Sequence, residues 1–408
     1  MSYCNKRKIL YWISIYIIAI CLILSNGCVY THFPHSGHLD GIITYAPIGI
    51  IFILLVLKRH ITQRSIITSL LITGYLCVLL IVSDANLKMG ILEIITLDSF
   101  ILYIYAYEYN KKPYLLIAYR NIIYYIALLS IIMWILCSVI KIIPNMGISY
   151  SIWGTQTHEL KNYFYIYFER DRQWLFGNLY VCNRSIFVER SFAAFSFLIG
   201  WIYELFIENN PSYIRRIIFA IAMFSTLSMT ALIIMLITYA INYVFKKENV
   251  TLLVLVKIFI IPLICIIVYA GISLLIKTKM STGHSYSSRM SDLINGFIAW
   301  KKSPLYGYGY GNTDRIQYLF KTGYSNSISA ILTQGGMLLM VMYIFPLFKG
   351  IIGCFRKKEI RRISFIIIFV ITISVTAVAF RNTTIYVILY IGLLIDANVK
   401  NISNTNKY

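Results

Sequence analysis

Charge is scarce in this chain, and negative charge is scarcest. Of 408 residues only 13% are Asp, Glu, Lys or Arg, about half the share of an ordinary soluble domain. The 16 acids stand against 37 bases. Proline is rare as well, eight in all, so long helices run with few of the breaks that proline imposes. No pair among the eight cysteines has metal-ligand spacing, which removes the common zinc modules.

What is abundant is apolar. Hydrophobic residues make up 59% of the chain and the mean hydropathy is +0.73, beyond what a soluble core can absorb. Crossing a bilayer takes about 20 residues of helix. Apolar runs of that kind lie near 9–26, 40–57, 65–83, 91–107, 119–140, 192–207, 251–276, 327–348, 363–380 and 384–396. Lipid offers the backbone no hydrogen bonds, so these runs must be helices. The stretch 215–245 is too long for one straight span, and "FSTLSMTA" (224–231) reads as the turn of a short hairpin within it.

Loop charge orients the chain. With twelve helices, the loops at 1–8, 58–64, 108–118, 208–216, 246–250, 349–362 and 397–408 hold 20 Lys and Arg, while the short opposite loops at 27–39, 84–90 and 381–383 hold 2. Positive loops stay cytoplasmic. The expectation is therefore an all-α polytopic membrane protein, one transmembrane domain over 1–408 with about 12 helices and both termini cytoplasmic. Two long loops, 141–191 and 277–326, fall on the outer, periplasmic face. Lys6, Arg7 and Lys8 precede an apolar run with no convincing cleavage site, so the first run reads as an uncleaved helix. The formal charge of +21 serves orientation and an anionic lipid or phosphate partner; it is no mark of nucleic acid.

Several constellations invite chemistry. His32, His35, His38 and Asp40 could ligate zinc, but Pro34 and Gly37 deny them a common helical face, and a polar turn is the simpler reading. Acids inside predicted helices are Glu93, Asp98, Glu204 and Asp396; several lie near enough to an end to reach the interface, and Asp98 with Glu93 hints at an ion path. Cys28 and Cys182 both fall outside the membrane and could pair. In "LKNYFYIYFERDRQW" (160–174) the aromatics Tyr163, Phe164, Tyr165, Tyr167 and Phe168 suit a headgroup anchor better than a sugar platform. Glu169, Arg170, Asp171 and Arg172 then read equally as a salt-bridge cluster or as one wall of an active site.

The second loop holds "SSRMSDLINGFIAWKKSPLYGYGYGNT" (287–313). Met290, Leu293, Ile294, Phe297 and Ile298 recur at the spacing of one helical face, and Arg289, Asp292, Gly296 and Ala299 share another. With a serine cap and "SP" as stop, residues 289–302 should form an amphipathic helix on the membrane surface, its arginine and carboxylate exposed. "PLYGYGYGNT" (304–313) lacks the Lys-Ser/Thr of a phosphate loop, follows no strand as a dinucleotide fingerprint would, and lacks the Thr-Val of a potassium filter. It reads as a tight loop at which backbone N–H groups come close to a ligand.

These segments resemble the bacterial O-antigen polymerases and ligases, the Wzy and WaaL type of membrane glycosyltransferase. The likeness runs over 184–340: "RSIFVERSFAAF" (184–195), "STLSMTA" (225–231), Arg289 with "FIAW" (297–300), "PLYGYGYG" (304–311) and "YSNSISAILTQGG" (324–336). Arg190 stands where the pattern has proline, Met229 where arginine is common, and Ser325 where ligases carry histidine. The last departure favours polymerase over ligase. The resemblance implies a metal-independent enzyme, without cofactor, in the bacterial inner membrane. It would join undecaprenyl-diphosphate-linked oligosaccharides on the periplasmic face, with a chain-length regulator as protein partner. A ligase, another lipid-linked glycan transferase or a transporter of polysaccharide units is the alternative.

The chemistry assigns roles. A leaving diphosphate calls for guanidinium groups: Arg184 and Arg289, with Arg170 and Arg172 beside them. The attacking hydroxyl calls for a base: Glu189 first, then Asp292, Glu169 and Asp171. Gly307, Gly309, Gly311 and Asn326 form the expected substrate loop.

Overall fold

A computed structural model describes residues 3–34, 37–58, 61–109, 111–153, 156–175, 178–244, 284–322, 325–376 and 381–393. The run at 251–276, the side chains of Arg289 and His38, and all of His35 and Asp396 lie outside the described residues.

Helix dominates. α1 is Tyr3–Leu24, α2 Gly37–Lys58, α3 Gln63–Val82, α4 Leu87–Tyr103 and α5 Tyr114–Met133. α6 is Arg190–Phe206, α7 Tyr213–Ser225, α8 Met229–Val244, α9 His284–Lys302, α10 Thr313–Phe320, α11 Ser327–Arg356, α12 Ile360–Val375 and α13 Asn382–Leu393. Among the described residues, five stretches are long and apolar enough to cross a membrane: Leu39–Lys58, Gln63–Val82, Leu87–Glu108, Tyr114–Val139 and Ser327–Arg356. The hairpin within 215–245 is present as α7 and α8. Its turn is made by Leu227 in a left-handed conformation, with Thr226 wholly buried beside it.

Polar caps set the helix starts, each side-chain oxygen taking an otherwise unpaired N–H: Thr62 for α3, Asn86 for α4 and Ser212 for α7. α4 and α5 each continue into a π-helical turn, Ile104–Glu108 and Trp134–Val139. The shared core runs through α1, α4, α5, α6 and α13, where Leu22, Phe100, Tyr119, Phe197 and Tyr386 are sealed from solvent.

The loop 141–191 departs from an all-helical reading, for it is strand. β1 (Gly147–Trp153), β2 (Gln156–Tyr163) and β3 (Tyr167–Glu169) form an antiparallel sheet, and β4 (Arg172–Leu175) pairs with β5 (Asn178–Val181) as a hairpin. Phe164 and Tyr165 turn the β2–β3 hairpin, both with φ of 55°. The aromatic anchor shrinks to these two exposed rings, because Tyr163, Tyr167 and Phe168 are buried in small cores under the sheet. Sheet-forming alternation was hard to see in a segment whose aromatics point both ways.

One end of the bundle gathers this strand cap with the turns at 25–34, 83–86, 226–228 and 303–312. Val188 N–H donates to Gly27 O at 2.8 Å, Asn183 N–H to Ser225 O at 2.9 Å and Asn86 N–H to Tyr310 O at 2.8 Å. At the opposite end, Glu204 is fully buried rather than reaching the interface. Arg120 pairs with it, Arg215 Nη1 lies 3.3 Å from Oε1, and Ser212 N–H donates to Oε2 at 3.2 Å. Arg361 Nη2 closes the same end by donating to Leu205 O at 2.8 Å.

Candidate functional site

Arg184 is the most buried charge at the strand-bearing end, with no exposed surface. Its backbone is locked from both sides. Asn183 donates from Nδ2 to Ser225 Oγ at 2.9 Å and to Ser130 Oγ at 3.2 Å, and its Oδ1 accepts Ser185 N–H at 3.0 Å. Ser185 sits at φ of 54°, and its carbonyl accepts Phe168 N–H from β3. The motif segments 184–195 and 225–231, far apart in sequence, thus meet at the Asn183–Ser225 contact.

The guanidinium is held by one bond, Nε to Phe187 O at 2.9 Å. Nη1 and Nη2 are buried and have no hydrogen-bond partner among the described residues. Burial pushes the group below its usual value, while Asp171 and Glu189 pull it back up and Arg170 opposes them. A guanidinium stays protonated in proteins, so two buried NH2 groups without an acceptor are a costly arrangement unless an anion completes them.

His158 of β2 joins this group, although no sequence motif pointed to it. Desolvation lowers its pKa, and Arg170 and Arg184 lower it further, against Asp171 and Glu189. The cluster therefore holds two guanidiniums, two half-buried carboxylates and a ring biased toward its neutral form. Glu189 stands at the start of α6 without capping it, and its Oε2 accepts from Ser191 Oγ at 2.8 Å. Arg190, in place of proline, donates to Gln173 Oε1 at 2.8 Å and to Cys182 Sγ at 2.9 Å, tying α6 to β4. Cys182 and Cys28, which could have paired, are both free. His32 uses its Nδ1 locally, against Cys28 O and Thr31 Oγ1.

Other expected site residues lie elsewhere. Glu169 closes β3 and Arg172 opens β4, and the two side chains face each other away from the cluster. Glu169 is buried, accepting from Ser138 Oγ at 3.1 Å, Tyr163 OH at 3.2 Å and Lys161 Nζ at 3.4 Å, with Arg172 Nη2 at 4.0 Å. Those bonds are a structural role, not that of a free base.

Asp292 is buried rather than exposed. α9 runs from His284, and its Asp292, Gly296 and Ala299 face packs onto α11, while Met290, Ile294, Phe297 and Ile298 are turned outward. In lipid that orientation is favourable, since the small residues allow close helix contact and the large ones meet hydrocarbon. Asp292 Oδ2 accepts Ser325 N–H at 3.3 Å, and its carbonyl accepts Thr322 and Ser329 hydroxyls. Arg289 starts on this helix three residues earlier; its side chain is outside the described ones.

The glycine loop packs closely against protein. α11 is broken at Gly336, which has φ of 57° and ψ of −152°. Residues 304–308 patch the break: Met337 N–H donates to Pro304 O at 2.9 Å, Leu338 N–H to Leu305 O at 3.2 Å, and Tyr308 N–H to Thr333 O at 2.8 Å. A Cβ on Gly307 would sit 2.6 Å from the Gln334 carbonyl carbon, and one on Gly309 2.7 Å from Ser83 O. One on Gly311 would lie 2.8 Å from Met89 Cβ. Tyr310 turns inward to share Glu93 with Tyr343, whose OH donates at 3.0 Å. Asp98, on the same helix, instead accepts Thr73 Oγ1 at 2.6 Å from α3. Asn326 is the cap of α11, its Oδ1 accepting Ile328 and Ser329 N–H and its Nδ2 donating to Ser374 O.

No known family model and no curated protein matches the chain.

Proposed function

We propose that this protein is a membrane glycosyltransferase of the O-antigen polymerase type, extending polyprenyl-diphosphate-linked glycans at the strand-bearing end of the bundle, outside the cytoplasm of a bacterial inner membrane. The observation that carries the reading is the Arg184 guanidinium, buried, braced and left with an unfilled fork, in the segment that resembles the family's arginine motif. A fork of two N–H donors matches two oxygens of a phosphate.

In the reaction an acceptor hydroxyl attacks the anomeric carbon of the donor sugar, and the bond from that carbon to the diphosphate oxygen breaks. Arg184 and Arg170 offset the charge growing on the departing diphosphate, which a buried, preformed site does at little reorganisation cost. Glu189 and Asp171 face the same cations, and one of them takes the hydroxyl proton; Ser191 orients Glu189 for this. Arg289 is assigned to the second diphosphate.

Deleting the gene and running the cell's surface polysaccharide on a gel tests the reading. Loss of a polymerase leaves core carrying a single repeat unit. Core with no repeat at all would point to a ligase or a flippase and overturn the proposal.

A further inference from the structure

A second pocket, of about 580 Å³, opens beside the strand cap, at the end of the membrane-crossing stretch Tyr114–Val139. Trp134, Lys141, Lys161, Tyr163, Glu169 and Arg172 are among its walls. The three cations face one carboxylate, and that carboxylate is already engaged by Ser138, Tyr163 and Lys161. The pocket is therefore net positive and has an anion's complement rather than a cation's. It is separate from the Arg184 cluster, since neither Arg184, Glu189, Asp171 nor His158 lines it.

Its surroundings say which anion. Ile132 near the end of α5, with Ile135 and Val139 in the π-helical turn that continues it, form an exposed stripe ending at Val139, which lines the pocket; Ile140, Ile142, Met146 and Ile148 beyond it are exposed as well. Such a stripe on a membrane-crossing helix is where acyl chains lie, and lysines, arginine and aromatic rings at its end match the headgroup level. Trp134 is fixed there by its Nε1 donating to Val181 O at 2.9 Å, which also pins the β4–β5 hairpin to α5.

We infer that this pocket binds the phosphodiester headgroup of an anionic phospholipid, whose chains run along the Ile132–Ile135–Val139 stripe and seat the strand cap on the membrane. The assignment does not depend on the proposed reaction. A zwitterionic lipid carries beside its phosphodiester an ammonium that the three cations repel, and a soluble phosphate gains nothing from the stripe.

The test uses the full-length protein purified in detergent, with lipid retention read by native mass spectrometry. Dioleoyl phosphatidylglycerol should be retained about tenfold over dioleoyl phosphatidylcholine, given the strength of a few basic side chains at a lipid surface. The Lys141→Ser/Lys161→Ser/Arg172→Ser variant should fall to near parity while keeping its melting transition. If it loses that transition, Lys161→Ser alone is read in the same way. Parity in the unaltered protein, or an undiminished preference in the variant that folds, overturns the assignment. So does glycerol 1-phosphate displacing the lipid at equal concentration, because the site would then be one for soluble phosphate.

Discussion

Arg184 makes a sharp prediction because its two possible roles respond differently to substitution. As a packing residue it would be replaceable by an apolar chain of similar length; as an anion fork it would not. Arg184→Met should abolish polymer beyond a single repeat on a polysaccharide gel while lowering the melting temperature of the purified protein little, since it removes a charge buried without a partner. Arg184→Lys should fail too, as an ammonium cannot reproduce the planar fork. The sequence showed this arginine by its motif, but it did not show His158, which reaches the cluster only because β2 pairs with β1 and β3. Sheet register is a property of partners, and a single strand does not announce it.

His158 also gives the site a pH dependence. Its folded pKa lies below the free value near 6.5, with burial the first cause. A histidine of that kind binds its proton more readily in the unfolded chain, so its contribution to stability is complete above about pH 6.5 and drains as pH falls through the folded value. Anion affinity runs the other way, because protonation adds a third cation beside Arg170 and Arg184. Pyrophosphate binding measured by calorimetry should strengthen over that same descent, and His158→Gln should flatten the curve.

At the scale of elements, the glycines at 307, 309 and 311 answer to packing. Alternating Gly and Tyr suggests a ligand cradle, yet the positive φ values and the near contacts belong to packing against α11 and the α3–α4 turn. Gly307→Ala should cost about 2–5 kcal/mol, combining a left-handed backbone with a clash against the Gln334 carbonyl carbon. Gly41→Ala in α2, where a Cβ meets nothing within 4 Å, should be neutral or stabilising by up to about 1 kcal/mol. Thermal unfolding of the two variants in one detergent separates them. The helix 289–302 was legible in its periodicity, but which face it buries was not: the same stripe suits a surface helix or one leaning on a neighbour through its small residues. Helix positions across the described residues were legible because lipid permits little else; the strands of 147–181 were not, because outside lipid the chain is free to choose.

For the molecule as a whole, the charge network at the far end should behave as one unit. Glu204 is shared by Arg120, Arg215 and the Ser212 N–H, so Glu204→Gln should destabilise by about 3–5 kcal/mol. In a double-mutant cycle with Arg120→Gln the losses should not add, which unfolding measurements on the four proteins would show. The orientation proposed from loop charge predicts that Phe164→Cys reacts with an impermeant thiol reagent on intact cells lacking their outer membrane. Lys358→Cys should react only after permeabilisation. Equal labelling of both would reverse or refute that orientation.

The break in α11 bears on how such a chain is made. A ribosome delivers residues 304–308 before residues 333–338, and it delivers the α3–α4 turn that takes up Tyr310 and Asn312 earlier still. When Gly335 and Gly336 of α11 emerge, the carbonyls of Pro304 and Leu305 that will receive its stranded N–H groups have already been synthesised. The interrupted helix need never wait in lipid with those groups bare, and the order of the genetic message doubles as an order of assembly.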